Sequence, residues 1–184
     1  RAACNTLRTR IAYHYLKANN KSKLYEAYLR GEVDRNRLYA SVPPNLLSSV
    51  INEMIDDKSI KRIFKSIDAL NKGEAVDAII GGPPCQAYSI VGRARDANGM
   101  RGDKRNYLYK YYGQFLKKYT PKVFVFENVL GLESAEGGKY LRDMKAYFKR
   151  IGYSLEQDTI NARDFGVLED GKRIRIIGGR KGLG

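Results

Sequence analysis

The chain has two cysteines, one histidine and no apolar run long enough to cross a bilayer. Cys4 and Cys85 can form at most one bridge, and 184 residues bury a sizeable core without one, so free thiols in a reducing compartment are expected. Two cysteines and the lone His14 cannot supply the clustered ligands of a structural zinc site, and no metal is expected. The opening from Arg1 lacks the apolar core of a secretory signal, which points to a cytoplasmic protein with no membrane partner. With no internal repeat and no low-complexity segment, one domain over residues 1–184 is expected. Acidic residues are also scarce, 20 Asp and Glu against 34 Lys and Arg, for a formal charge of +14. That excess points to a polyanionic partner; a well-solvated basic surface is the plain alternative, since net charge reports on partners and not on fold. Fourteen tyrosines offer stacking surfaces, most of them serving ordinary packing.

Periodicity supplies the elements. Leu7, Ile11, Tyr15 and Ala18 recur at helical spacing and predict an amphipathic helix over residues 2–18, with Ala3, Cys4 and Ala12 beside that face and Asn19 and Asn20 as stops. Residues 21–41 read as a polar, Tyr-rich connection. After Pro43 and Pro44, Leu46, Leu47, Val50, Ile51, Met54 and Ile55 predict one helix. Ile60, Ile63, Phe64, Ile67 and Leu70 predict a second, with Asp57 or Ser59 placed to cap it. Further helices are expected over residues 107–119 and 139–150, the latter burying Tyr140, Leu141, Met144, Tyr147 and Phe148. Strands are expected at 76–80, 123–126, 153–160 and 172–177. The order fits an α/β sheet with helices on its faces, parallel at first and antiparallel in its last pair.

One stretch stands out. The apolar run ending in Ala78-Ile79-Ile80 breaks into Gly81-Gly82-Pro83-Pro84-Cys85, where the glycines permit unusual backbone angles and the prolines fix φ. A rigid loop at a strand end is where open α/β sheets place ligands, and it holds a thiol well. A buried structural cysteine is the plain alternative. Residues 91–105 follow as a Gly-rich, basic segment suited to a mobile loop.

Gly81-Gly-Pro-Pro-Cys-Gln-Ala-Tyr-Ser89 resembles the catalytic motif of the cytosine-C5 DNA methyltransferases. Glu127-Asn128-Val129, Asp103-Lys-Arg-Asn-Tyr-Leu-Tyr109 and Asn161-Ala-Arg-Asp-Phe-Gly-Val167 with Arg173 resemble further motifs in the family's order. The resemblance implies a Rossmann-like S-adenosylmethionine-dependent methyltransferase fold with a mixed, mostly parallel sheet and helices on both faces, here incomplete. It implies Cys85 as the nucleophile that adds to cytosine C6, Glu127 at cytosine N3 as a carboxyl of raised pKa, and Arg173 as an orienting group. Pro84 and Leu108 would lie against S-adenosyl-L-methionine, Gln86 and Ser89 would contact DNA, and the loop bearing Arg93 and Arg95 would close over it.

The sequence also departs from the family. Where the pattern after Gly-Val is Pro-Gln-x-Arg-x-Arg, this chain has Leu168-Glu169-Asp170-Gly171-Lys172-Arg173, keeping only the second arginine; a shifted register would pair Arg173 with Arg175 instead. The family's Phe-x-Gly-x-Gly cofactor loop, its ribose-binding acid and its target-recognition region are not found. Three readings follow: the central catalytic part of a DNA cytosine-C5 methyltransferase of the restriction-modification kind; an inactive or split-enzyme fragment acting as a nucleic-acid-binding or assembly subunit, with a complementing chain carrying the missing motifs; or a transfer-RNA cytosine-C5 methyltransferase.

Overall fold

A computed structural model describes residues 2–85, 88–89, 104–168 and 170–182. The chain divides into two compact units, Arg1–Gly73 and Glu74–Gly184. No helix among the described residues is long and apolar enough to cross a membrane.

The first unit is helical: α1 (Ala2–Ala18), α2 (Ser22–Leu29), α3 (Arg35–Ala40), α4 (Pro44–Ser48) and α5 (Ile60–Asn71). The ends of α1 match the sequence reading, and Asn20 closes it with a left-handed φ of 57°, a conformation Asn tolerates. Its buried stripe is rotated from the expected one. Ala12 and Leu16 are the fully buried residues, whereas Leu7 is 52% exposed and Ala18 is exposed. The stripe meets Leu38 and Val42, flanked by Tyr15, Leu24, Tyr25, Tyr28, Tyr39 and Leu47. The small Ala12 lets the neighbouring helices approach, so a residue that seemed a filler is the centre of the contact.

The polar connection over residues 21–41 is mostly α2 and α3. Asp34 caps α3 by accepting the Arg37 N–H at 2.7 Å. The helix expected from Leu46 onward stops early. α4 begins on Pro44, a favoured first-turn position, and ends where Ser48 and Ser49 hydroxyls donate to the carbonyls of Asn45 and Leu46. Such local bonds compete with helix continuation, and Met54 and Ile55 are left 76% and 45% exposed. The turn before α5 is organised by Asp56, which accepts the N–H groups of Ser59 and Lys58. Ser59 makes no side-chain cap bond to the helix; its hydroxyl donates to the Met54 carbonyl.

The second unit contains β1 (Ala78–Gly81), α6 (Tyr109–Tyr119), β2 (Val123–Val129), α7 (Gly131–Ser134), α8 (Lys139–Arg150), β3 (Tyr153–Asn161) and β4 (Lys172–Arg180). The sheet order is β1-β2-β4-β3. β1 and β2 are parallel, and β4 lies antiparallel to both β2 and β3. The expected α/β class and antiparallel last pair are found. The expected parallel majority is not seen in the described sheet, because β4 returns between β2 and β3 and converts two of its three pairings to antiparallel.

One face of this sheet carries the core. Phe124, Phe126, Ile174 and Ile176 are fully buried against Leu116 of α6 and Met144 and Phe148 of α8. Phe124 sits 5.0 Å from both Phe148 and Tyr153, centroid to centroid, in the edge-on arrangement aromatic rings favour. Strand alternation sends Ile80, Val125, Glu127, Arg173 and Arg175 to the other face, where Ile80 is 77% exposed.

Candidate functional site

The loop after β1 is fastened to the end of β2 by several contacts. A Cβ placed on Gly82 would lie 1.9 Å from the Glu127 carbonyl oxygen, so only glycine fits this backbone approach. One residue on, the Pro83 carbonyl accepts the Asn128 side-chain N–H at 3.1 Å. Asn128 is buried, and its own Oδ1 accepts the Val129 N–H at 2.9 Å. The Cys85 carbonyl then accepts the N–H groups of Tyr88 and Ser89, each at 2.9 Å, closing a turn that carries the half-buried free thiol at its head.

Tyr88 anchors the far side of that turn. Its ring is fully buried, and its hydroxyl donates to the Asn106 carbonyl at 2.7 Å. Asn106 donates in turn to the Tyr140 hydroxyl at 3.0 Å. A Cβ on Gly131 would meet the Tyr88 carbonyl oxygen at 2.1 Å, a second close approach of the loop to the segment after β2. Tyr112 reaches the carbonyls of Ile79 and Val125 at 3.0 and 3.1 Å and ties the two parallel strands just before the site.

Burial pushes the Tyr88 and Tyr112 hydroxyls well above the ordinary tyrosine value. Because the folded value exceeds the unfolded one, the associated stability is complete below about pH 10 and is lost as pH rises toward the folded value. Thermal melts between pH 9 and 11.5, on the order of the tyrosine range, should show Tm falling above pH 10. The fall should be shallower in Tyr88→Phe or Tyr112→Phe, even though each variant starts from a lower Tm. Identical slopes in the variants would reject this cause.

On the open face of the sheet, Glu127 stands directly opposite Arg175 in the β2–β4 register, yet it pairs diagonally with Arg173 at 2.9 Å. Arg175 turns to the next strand, where its Nε donates to Asp158 at 2.9 Å. That guanidinium holds the Asp158 carboxyl below the usual carboxylate range. Two arginines one alternation apart are thus assigned to different carboxylates, and Arg173 is the one that meets Glu127. Both partners of this pair are 47% exposed, so the bridge adds little to stability and mainly fixes two side-chain directions.

The remaining expected residues fall as follows. Pro84 is exposed beside Cys85, Leu108 is half-buried where α6 begins, and Ser89 is half-buried within the turn. Gln86, Arg93, Arg95 and Glu169 lie outside the described residues, as does most of the basic segment 91–105. Gly171, at the place of the family's first arginine, donates its N–H to Asn161 Oδ1 at 3.2 Å, while Asn161 donates to Asp170 at 2.7 Å. Among the described residues, no group of His, Cys, Asp and Glu could hold a metal ion.

Sequence reasoning quoted Asn128, Tyr88 and Asn106 within its motifs but gave them no role. Asn128 had an available signal, since a polar residue next to Glu127 on a strand must point to the buried side and requires a partner there. Tyr88 and Asn106 had none, because their bond joins segments separated by 18 residues.

A model of the family described as C-5 cytosine-specific DNA methylase matches residues 39–184. The type II methyltransferase M.Bpa9945I of Bacillus paralicheniformis is 36% identical over 210 residues, covering 98% of this chain and 47% of its own length. The type II methyltransferase M.AgeI of Thalassovita gelatinovora is 41% identical over 140 residues, covering 76% of this chain and 30% of its own length. The solved structure of a Spodoptera frugiperda DNMT2 mutant overlaps 72% of this chain and 36% of its own, at 22% identity and a TM-score of 0.44. The chain therefore spans less than half the length of these relatives. The family match runs through the Cys85 loop, the Glu127 strand and the Arg173 strand together, and the chain belongs to the C-5 cytosine-specific DNA methylase family.

Proposed function

We propose that this chain contributes the nucleophile and base-holding half of a DNA cytosine-C5 methyltransferase. The observation that carries the reading is the fastening of the Cys85 loop to the strand of Glu127, with Arg173 bridged to Glu127 at 2.9 Å. A thiol, a carboxyl and a guanidinium held on adjoining backbone are what attack on a pyrimidine ring requires.

The target cytosine must leave the duplex stack before its C6 can be reached. Cys85, as the thiolate, forms a bond from Sγ to C6, and the electron pair displaced from the C5–C6 bond makes C5 nucleophilic. Glu127, as the protonated carboxyl, donates a hydrogen bond to N3 and offsets the charge that gathers there as the thiolate adds. Arg173 holds the Glu127 carboxyl in line and helps hold the base. Once C5 has taken the methyl group, a base takes the C5 proton, the electron pair left behind re-forms the C5–C6 double bond, and the C6–S bond breaks to release Cys85 as the thiolate.

S-adenosylmethionine supplies an electrophilic methyl group when bound. The residues present fit part of its cradle: Pro84 is exposed beside Cys85, and Leu108 retains accessible apolar surface at the start of α6. The Phe-x-Gly-x-Gly pattern does not occur in these 184 residues, so the remaining cofactor contacts would come from residues outside them, in the same polypeptide or a complementing chain. Both units would belong to one catalytic domain, since the family match crosses their boundary. Its substrate would place it with the DNA in the cytoplasm.

Incubation with methyl-labelled S-adenosylmethionine and either duplex DNA or transfer RNA tests this. Label is expected in DNA, as 5-methylcytosine. Label in RNA alone would reassign the substrate. No transfer, together with no heat of S-adenosylmethionine binding by calorimetry, would reject autonomous activity and favour the split-enzyme reading.

A further inference from the structure

The helical unit has a polarity of its own. α1 carries Arg8, Arg10 and Lys17 with no acidic residue, and Glu26 is the first acid in the chain. Against α1, Tyr25 and Tyr28 of α2 and Arg35 of α3 close a cleft of about 460 Å³, a volume within the roughly 300–1,000 Å³ of ligand sites.

Aromatic faces form its walls. Tyr13, Tyr25 and Tyr28 are half-buried. The ring centroids of Tyr13 and Tyr25 are 4.9 Å apart at 54°, and those of Tyr25 and Tyr28 are 6.2 Å apart. Tyr25 and Tyr28 also pack against the core of Ala12, Leu16, Leu38 and Val42, which fixes their rings before any ligand arrives. Pre-set rings lose little entropy on stacking.

The rim is cationic. Arg10 and Arg35 are exposed, and among the described residues no carboxylate lines the cleft. The Tyr28 hydroxyl lies near the Arg35 guanidinium and favours its charged form. Lys17, which does not line the cleft, lies 5.8 Å from the Tyr13 ring centroid. A cluster serving only as core would close over its rings; this one stays open to solvent, with Arg10 and Arg35 in its lining.

We propose that this cleft is a nucleic-acid site, built from residues other than those of the Cys85 loop, that takes an unpaired nucleotide: a base stacks on Tyr13 or Tyr25, and the flanking phosphates meet Arg10 and Arg35. Rings recognise any base face and guanidinium groups recognise phosphate. Bases inside a duplex present no free face, so the cleft selects single strands. The assignment does not depend on methyl transfer and survives if that activity is absent.

The full chain is titrated with a fluorescein-labelled oligo(dT) of about eight nucleotides, within the span of known single-strand sites. Tyr13→Leu with Tyr25→Leu should raise Kd by about tenfold, as expected for one lost stacked base. Arg10→Gln with Arg35→Gln should flatten the dependence of log K on log salt by about 1.4, two phosphates at roughly 0.7 each. Unchanged Kd and salt slope in folded variants, or equal competition by poly-glutamate, would overturn the site. Since Tyr25 also supports the core, an oligonucleotide carrying 5-bromodeoxyuridine is photocrosslinked to the unaltered chain as an independent readout. Crosslinks at Tyr13, Tyr25 or Tyr28 support the proposal, and crosslinks confined to other residues reject it.

Discussion

Cys85→Ser is expected to abolish covalent capture of DNA carrying 5-fluorocytosine. Fluorine at C5 cannot leave as a proton does, so an enzyme that adds to C6 and completes methyl transfer stays bound to its substrate. The serine hydroxyl keeps nearly the same shape but is a far weaker nucleophile without an adjacent general base. The loop geometry does not depend on sulfur, because the turn closes through the Cys85 carbonyl and is anchored by Tyr88 and Asn128. Loss of trapping by about a thousandfold or more, with noncovalent DNA binding kept within about twofold, is therefore expected on denaturing gels with S-adenosylmethionine present. Should the serine variant still be trapped, another residue makes the bond. Should the unaltered chain fail to trap, the experiment is repeated with a complementing chain before the nucleophile is judged.

Gly82→Ala has the second largest effect. The added methyl would sit 1.9 Å from the Glu127 carbonyl oxygen, and that oxygen belongs to a strand paired on both sides, so no rotamer change relieves the clash. The loop must lift away from β2 by about 1 Å, which strains the Asn128–Pro83 bond. Forced overpacking of this kind costs about 1–3 kcal/mol, and a misplacement of about 1 Å can reduce catalysis by roughly a hundredfold. Thermal unfolding should show Tm lower by about 2–10 °C, and labelled methyl transfer should show the larger loss in kcat. Wild-type Tm and rate in this variant would mean the loop and strand do not touch as described.

How much was legible follows from the range of each interaction. α8 and its buried side are written in a local repeat, and its span agrees with the expected residues 139–150. The rotated face of α1 was not legible, because Leu7, Ile11 and Tyr15 form as good a stripe as Ala12 and Leu16 until the packing partners are known. The order β1-β2-β4-β3 depends on where β4 inserts, a long-range pairing with no local signature. At the site, the motifs pointed to Cys85, Glu127 and Arg173, and the structure adds that Glu127 pairs diagonally with Arg173 and not with Arg175 opposite it. The residues that hold the loop in place were illegible, apart from Asn128.

Adjacent positions on β2 face opposite environments, Glu127 the open side and Asn128 the buried side. A slip of one residue during folding would turn Glu127 into the aromatic core and bring Phe124 and Phe126 into water. A charged carboxylate without a partner in that core is prohibitively unfavourable. The strand that presents the acid thus also checks its own register: a chain that misaligns it does not persist as a stable impostor but stays unfolded and free to try again.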